Sequence, residues 1–247
     1  MTSFTRPIFP FVVGCSRSGT TLLRALLDAH PLLAVPPESH FAVLPRLRLR
    51  RDPWFRLWDI DPPDLRGLGV ADAVRAVFAA YAAAHGKPRY ADKTPHYVSH
   101  LPLLADRFPE ARFVHVVRDG RDVALSLLEV PWGPDDLEGA AQHWRRRVLE
   151  GRAAGLGHER YRELRYEALV ADPERELRAL AAWLELPYDP AMLDPARRPA
   201  AVPYREHHGR LALAPTPGLR NWRREMSQAD AARFEAVAGD ALAELGY

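Results

Sequence analysis

The chain has 247 residues and is 47% hydrophobic, which is enough to bury a large core in one domain over residues 1–247. Its 34 basic and 32 acidic residues nearly balance, and no apolar run approaches the length of a membrane span, so neither a nucleic-acid partner nor a membrane is indicated. The single cysteine excludes an internal disulfide and a cysteine-based zinc site, and we expect a cytoplasmic protein.

The first predicted element is a buried strand at Ile8–Val13, followed by a glycine-flanked loop at 14–19. Apolar residues then recur at helical spacing over 22–27, so the pattern predicts a strand, a tight loop and the start of a helix. Backbone N–H groups at a helix start, together with nearby hydroxyl groups, favour an anion site. The spacing of the two glycines in this loop resembles that of the nucleotide-binding P-loop, but Thr20 stands where the P-loop lysine is expected, and Arg17 supplies a cation inside the loop.

The next elements are shorter and less regular. The pattern predicts a strand at Leu32–Val35, a helix beginning near Glu38, a loop-rich segment at 50–68, an amphipathic helix from Val70 to Tyr81 and a strand at Arg89–Asp92. Lys93 follows directly and is one of only two lysines in a chain that otherwise uses arginine. This retention favours a chemical role for Lys93.

A second strong unit begins at Arg112–Val117, a near-continuous apolar strand that is typical of a parallel sheet covered on both faces. Asp119 can cap the helix that follows. Arg118 therefore emerges at the carboxyl end of a strand, where open α/β sheets bind ligands, and its planar guanidinium suits a phosphate. A simple ion pair between Arg118 and a nearby aspartate remains an alternative.

The remaining pattern continues the alternation of strands and helices. It predicts a long helix over 137–148, a strand at Tyr161–Tyr166, a helix at Pro173–Leu184, an irregular loop at 187–218 and a last helix from near Ser227. This order predicts an α/β fold, a three-layer parallel sheet flanked by helices, with the site in the loops at the strand ends.

Five motifs stand in this frame: G-x-S-R-S-G-T-T-L-L at 14–23, P-x-E at 36–38, D-K-T-P at 92–95, V-x-R-D-G-R-D-x-x-x-S at 116–126 and R-Y-E-x-L at 165–169. Together they closely resemble the sulfotransferases that use 3′-phosphoadenosine 5′-phosphosulfate (PAPS). The match runs from residue 8 to about residue 185 and is nearer to the bacterial and tyrosylprotein-type branch than to the cytosolic phenol and steroid enzymes. The resemblance implies a P-loop NTPase-like fold.

The same resemblance implies a reaction. A sulfuryl group would pass from PAPS to a hydroxyl or amine of a small molecule or peptide, leaving 3′,5′-bisphosphoadenosine (PAP), with no metal required. It also implies a nucleotide site in four groups: Arg17, Ser18, Gly19, Thr20 and Thr21 for the 5′-phosphosulfate, Arg118 and Ser126 for the 3′-phosphate, Tyr166 beside the adenine, and Asn221, Trp222 and Arg223 closing over the nucleotide.

The catalytic base has two candidates. Charge builds on the bridging oxygen during transfer, so Arg17 and Lys93 can stabilise it, while the acceptor must lose a proton to a positioned base. Glu38 matches the glutamate that has this role in the tyrosylprotein-type branch. His96 lies three residues after Lys93, whereas cytosolic relatives have a histidine two residues after their lysine. We favour Glu38, and His96 remains the alternative.

Two other functions fit parts of the pattern. A P-loop kinase acting on a small molecule would use the same loop, although Thr20 in the lysine position disfavours it. A non-catalytic nucleotide-binding module would keep Arg118 but would have no use for a base beside the loop.

Overall fold

The computed structural model describes residues 6–43, 58–61, 63–154, 156–194, 197 and 220–247. Its centre is a four-stranded parallel sheet of order β4-β1-β5-β6, formed by β1 (Phe9–Gly14), β4 (Asp92–Lys93), β5 (Ala111–Val117) and β6 (Tyr161–Arg165). A second parallel sheet pairs β2 (Leu33–Ala34) with β3 (Arg89–Tyr90). This topology confirms the predicted α/β fold.

Helices pack on both faces of the four-stranded sheet. Those of the described residues are α1 (Thr20–Asp28), α2 (Val70–Ala84), α3 (Leu101–Arg107), α4 (Gly120–Leu127), α5 (Leu137–Ala153), α6 (Tyr166–Ala171), α7 (Pro173–Trp183), α8 (Trp222–Glu225) and α9 (Gln228–Leu245). None of these described helices has the length and apolar character needed to cross a membrane.

The two central strands carry apolar side chains toward both faces. Phe11 of β1 pairs in register with Phe113 of β5, and both face a core cluster that includes α2 and α3. Val12 pairs with Val114, and both face the opposite cluster, which includes α1 and α7. A third cluster lies around Trp144, where α4, α5 and α9 pack together. Coverage on both faces explains why these strands are nearly continuous apolar runs.

The helix predicted to begin near Glu38 is wrong. Residues 35–40 contain no helix, and a single 3-10 turn, Phe41–Val43, follows them. His40 has a φ of 61°, a left-handed conformation that interrupts a right-handed helix. Of the predicted loop-rich segment, residues 50–57 and 62 lie outside the described residues.

Four other features differ from the sequence prediction. The strand predicted at Arg89–Asp92 is two short strands, because the chain steps from pairing with β2 to pairing with β1. Tyr166 begins α6 instead of ending β6, and α3 was not predicted. Within the predicted 187–218 loop, Pro190–Leu193 forms a 3-10 turn, while residues 195–196 and 198–219 lie outside the described part of the chain.

Packing around α4 generates a stability prediction. A Cβ added at Gly120 would lie 2.5 Å from the Trp144 ring and 2.7 Å from Cζ of Phe234, and both rings are fully buried. We expect Gly120→Ala to lower the free energy of unfolding by about 1–3 kcal/mol through overpacking, measured by urea denaturation.

Gly239→Ala in α9 is the matched control, because a Cβ there meets no described atom within 4 Å. It should raise the free energy of unfolding by about 0.5–1 kcal/mol through helix propensity. Equal effects of the two substitutions would contradict the packing described for α4.

Candidate active site

The loop between β1 and α1 has a tightly constrained backbone. Arg17 adopts the left-handed region with a φ of 74°, and Gly19 has a φ of 97°. A Cβ at Gly19 would lie 2.3 Å from Cδ2 of Tyr166, so residue 19 has no room for a side chain. The start of α1 is therefore held against α6, with the N–H groups and the positive dipole end that suit an anion.

Ser18 carries a hydroxyl group that the described residues leave without a partner. Its side chain is 1% exposed, and its Oγ has no hydrogen bond within the described part of the chain. Thr20 and Thr21 follow as the first two residues of α1. A buried hydroxyl without a partner is costly, so Ser18 Oγ is placed to bond a group that the described residues do not supply.

Arg17 connects the loop to α4. Its Nε donates a hydrogen bond to Oγ of Ser126 over 2.9 Å. Burial lowers the pKa of the Arg17 guanidinium, the carboxylate of Glu129 raises it, and the guanidinium groups of Arg220 and Arg118 lower it further. Arg17 nevertheless remains a cation at neutral pH, so three arginines concentrate positive charge beside the loop.

Arg118 lies directly after β5, against the ring of Tyr166. The centre of its guanidinium is 4.3 Å from the ring centroid, and Nη2 is 3.2 Å from Oδ2 of Asp122. The ion pair considered from the sequence is therefore present. The Nε of Arg118 is nevertheless buried and has no partner among the described residues. Arg118 thus keeps a donor for an anion, in addition to its charge.

Lys93 and Glu38 form an ion pair at the same edge of the sheet. Lys93 ends β4, and its Nζ lies 2.6 Å from Oε1 of Glu38 and 3.5 Å from Oγ1 of Thr21. The two charged side chains are 2% and 16% exposed, respectively. The structure therefore brings together the lysine, the glutamate and the start of α1, although Glu38 is not helical.

His96 belongs to a histidine cluster beside this ion pair. Its ring stacks on His40, with centroids 4.4 Å apart, and its Nε2 lies 3.2 Å from Nδ1 of His40. Burial lowers the pKa of His96 to about 4, and the nearby His40, His100 and Arg147 act in the same direction. His96 is consequently neutral at pH 7.

The three residues at 221–223 lie against the start of α4. Trp222 donates from its indole Nε1 to Oδ2 of Asp119 and from its backbone N to Oδ1 of Asp122, over 2.9 and 2.8 Å. Asn221 caps α8 by accepting a hydrogen bond from the backbone N of Arg223. Through Asp122, Trp222 therefore shares a carboxylate with Arg118.

Arg220 is a residue that the sequence did not single out. Its guanidinium pairs with Glu129 at 2.5 Å and with Glu225 at 3.0 Å, and its charge acts on Arg17. The sequence carries no local signal for this position, because Arg220 directly follows a proline-rich stretch without periodicity. Its importance comes from a long-range contact.

The site has two chemically different halves. The β1–α1 loop, Arg17 and Arg118 offer buried donors and positive charge for a phosphate-like or sulfate-like anion. Lys93 and Glu38 offer a cation and a carboxylate, the pair needed to stabilise developing negative charge and to accept a proton. Within the described ranges, no group of three or more His, Cys, Asp or Glu side chains is arranged to hold a metal ion.

Comparison with known sequences agrees with this chemistry. A family model described as "Sulfotransferase family" matches residues 7–190. Protein-tyrosine sulfotransferase 1 of Danio rerio is 32% identical over 196 residues, covering 74% of this chain and 54% of the relative. Protein-tyrosine sulfotransferase A of Caenorhabditis elegans is 27% identical over 198 residues, covering 75% and 52%. The chain therefore spans about half the length of these curated relatives.

Solved structures show the same fold. The sulfotransferase domain of the Synechococcus PCC 7002 olefin synthase superposes with a TM-score of 0.63 at 23% identity, covering 96% of each chain. Mouse sulfotransferase SULT7A1, whose crystal structure is a complex with PAP, superposes with a TM-score of 0.56 at 13% identity, covering 94% of this chain and 84% of that one.

The low pKa of His96 generates a stability prediction. An unfolded histidine takes up a proton near pH 6.5, whereas folded His96 does so only near pH 4. The unfolded state therefore binds more protons in this window, and the free energy of unfolding falls as the pH drops from 7 toward 4. We expect His96 to contribute a loss of about 1–2 kcal/mol at pH 5.

The contribution of His96 to the pH dependence of the free energy of unfolding is measured by denaturant unfolding of wild type and His96→Gln at pH 5 and pH 7.5. Buried His115 has a pKa of about 4 as well, so the informative quantity is the difference between the two proteins. The variant should lose less stability on acidification. Parallel pH dependence in the two proteins would show that His96 is not held neutral by the fold.

Proposed function

The chain belongs to the sulfotransferase family, and on that premise we propose that it transfers a sulfuryl group from PAPS to a hydroxyl acceptor, with a tyrosine of a peptide or protein as the favoured acceptor. The curated relatives support this acceptor, because they are named protein-tyrosine sulfotransferases. A neighbour in fold whose structure holds PAP supports the donor. A cytoplasmic location remains a prediction from the sequence.

One observation carries the proposal more than any other. Two buried donor atoms, Ser18 Oγ and Arg118 Nε, lack partners within the described residues, and both lie at the strand-end edge that also carries the Glu38–Lys93 ion pair. Donors left without partners fit an anionic ligand, and an adjacent carboxylate fits removal of a proton from an acceptor. A simple anion-binding module would explain the first feature and not the second.

The residues of the anion half have distinct proposed roles. The start of α1, with Ser18 and Arg17, would hold the phosphosulfate end of PAPS, and Thr20 and Thr21 would add hydroxyl donors. Arg118, which packs on the Tyr166 ring, would bind the 3′-phosphate, as the family resemblance implies.

Three further roles extend this half of the site. Ser126 is bonded to Arg17 in the structure, so it would serve both the loop and the 3′-phosphate. Trp222 would close the nucleotide site through Asp122, the carboxylate that it shares with Arg118. Arg220 would add charge beside Arg17.

The other half performs the proton transfer. PAPS supplies an activated sulfuryl group on a phosphate leaving group. Glu38 would take the proton of the acceptor hydroxyl, and its contact with Lys93 fixes where that carboxylate stands. Lys93 and Arg17 would offset the negative charge that develops on the bridging oxygen as the sulfuryl group leaves the phosphate. His96, stacked on His40 and neutral, would shape the acceptor side.

The first test separates the two arginines. Arg118→Ala should weaken PAP binding about 10- to 100-fold, because a charge-assisted contact is lost, and should leave adenosine 5′-phosphosulfate, which has no 3′-phosphate, nearly unchanged. Arg17→Ala is the matched control and should weaken both nucleotides. Calorimetric titration of wild type and both variants with each nucleotide measures the six affinities. Equal losses of both ligands in Arg118→Ala would overturn the 3′-phosphate assignment.

The second test identifies the base and the reaction. Wild type should transfer sulfuryl from PAPS to a tyrosine-containing peptide and not to the matching phenylalanine peptide. In single-turnover assays, Glu38→Gln should lower the rate by about 10²–10⁴ while PAP binding persists, because the substitution removes the base and keeps its shape. His96→Ala should cost less than about tenfold.

Two results would contradict this assignment. If His96→Ala abolished transfer and Glu38→Gln retained it, the base would be His96. If wild type transferred nothing from PAPS but phosphorylated an acceptor with ATP and Mg²⁺, the proposed reaction would be wrong.

A further inference from the structure

A buried carboxyl group lies next to the Glu38–Lys93 ion pair and has no part in the proposed proton transfer. Asp92, in β4, is 1% exposed, and the two hydroxyl residues around it, Ser39 and Thr94, are 0% exposed. Burying a carboxyl group in a protein interior is costly unless hydrogen bonds compensate for the lost water. The burial of Asp92 therefore requires compensating hydrogen bonds.

Asp92, Ser39 and Thr94 form a closed hydrogen-bonded set, which we call the Asp92 clamp. Thr94 Oγ1 donates to Oδ1 of Asp92 over 2.7 Å, and Ser39 Oγ donates to Oδ2 over 3.3 Å. The backbone N of Ser39 donates in turn to Thr94 Oγ1 over 3.4 Å, and the backbone N of Phe41 donates to Ser39 Oγ over 3.3 Å. Each hydroxyl thus accepts from a backbone N–H and donates to the carboxyl.

The clamp joins the two segments that carry the ion pair. Ser39 is the residue after Glu38, in a segment without regular secondary structure. Asp92 and Thr94 flank Lys93 at the end of β4, and Thr94 is anchored to β1 through its backbone N. Because Glu38 is not held in a helix, its position relative to Lys93 depends on such contacts across the two segments.

We propose that the Asp92 clamp positions the carboxylate of Glu38 against Lys93, which makes Asp92 a positioning residue of the sulfuryl transfer. This inference rests on the proposed function for its catalytic consequence, and on the structure alone for its geometric one. Misplacing a catalytic group by about 1 Å can lower a rate by about 10²-fold, so a clamp of this kind has a measurable effect.

The charge of Asp92 adds a dependence on pH. Burial raises the pKa of Asp92 to about 7, and the carboxylate of Glu38 acts in the same direction, whereas Thr94, Ser39 and Lys93 favour the ionised form. Asp92 also raises the pKa of Tyr97, a buried neighbour whose main shift comes from burial. The negative charge of Glu38 therefore disfavours ionisation of Asp92.

The two lysines of the chain allow a direct test of the geometry. Lysine labelled with ¹³C at Cε gives one signal from Lys93 and one from Lys87, and the Glu38→Gln variant identifies the former. Lys87 contacts Asp28 and Leu33, away from the clamp, so its signal is the internal control. Thr94→Val should shift the Lys93 signal and leave that of Lys87 in place, and Thr94→Ser should restore it.

The same signal reports the charge of Asp92. In wild type, the Lys93 signal should titrate with a midpoint near pH 7, the value given by the buried carboxyl group. Asp92→Asn keeps the size of the side chain and removes the charge, so the inflection near pH 7 should disappear. The Lys87 signal should show no matching step in either protein.

Kinetics measure the consequence for the reaction. Thr94→Val should lower the single-turnover transfer rate by about 10- to 100-fold with PAP affinity unchanged, and Thr94→Ser should recover most of it. Asp92→Asn should flatten the dependence of the rate on pH between 6 and 8. Unchanged PAP affinity and an unmoved Lys87 signal show that each variant is folded.

The outcomes separate the two proposals. If Thr94→Val moved neither the Lys93 signal nor the rate, the Asp92 clamp would not position the ion pair, and the inference would be overturned. If wild type failed to transfer sulfuryl from PAPS, the proposed function and the catalytic consequence would fall together. The Lys93 signal would still decide whether the clamp positions Glu38.

Discussion

The contact between Gly19 and the ring of Tyr166 is the constraint on which the anion half of the site depends. A Cβ at residue 19 would lie 2.3 Å from that ring, so only glycine allows α1 to begin directly against the start of α6. The same ring also contacts the guanidinium of Arg118, which lies 4.3 Å from its centroid. One aromatic side chain therefore fixes the loop after β1 and the arginine after β5, and the parallel sheet places all three elements at one edge.

Electrostatics give this edge its preference for anions. The charges of Arg118 and Arg220 act on Arg17 there, Glu129, Glu225 and Asp122 supply compensating negative charge, and Ser126 accepts a hydrogen bond from Arg17. A buried donor without a partner costs about 1–3 kcal/mol, and two such donors, on Ser18 and Arg118, occur at this edge among the described residues. A ligand with negative charge would relieve both penalties, which is why we interpret this edge as a binding site and not as a structural cluster.

The sequence predicted those parts of the site that local pattern encodes. The loop and Arg118 each follow a strand of six or seven residues, so strand periodicity places them at one edge of a parallel sheet. Lys93 stood out instead as one of only two lysines. Local sequence pattern could not predict the contact of Arg220 with Glu129, which joins positions 91 residues apart. It could not predict the Asp92 clamp either, which joins Ser39 to β4. Strands of two residues are too short to show periodicity, and for the same reason the split between β3 and β4 was missed.

The strand order also separates the two halves of the site. Lys93 ends β4 at one side of the sheet, the loop follows β1, and Arg118 and Tyr166 follow β5 and β6. Neighbouring strands lie about 4.8 Å apart, so the ends of β4 and β6 are separated by roughly 14 Å. A single phosphate could not reach across that edge, whereas an extended donor with charged groups at both ends could. The order β4-β1-β5-β6 thus places recognition of the nucleotide and removal of the proton on different strands, and a change in one can leave the other intact.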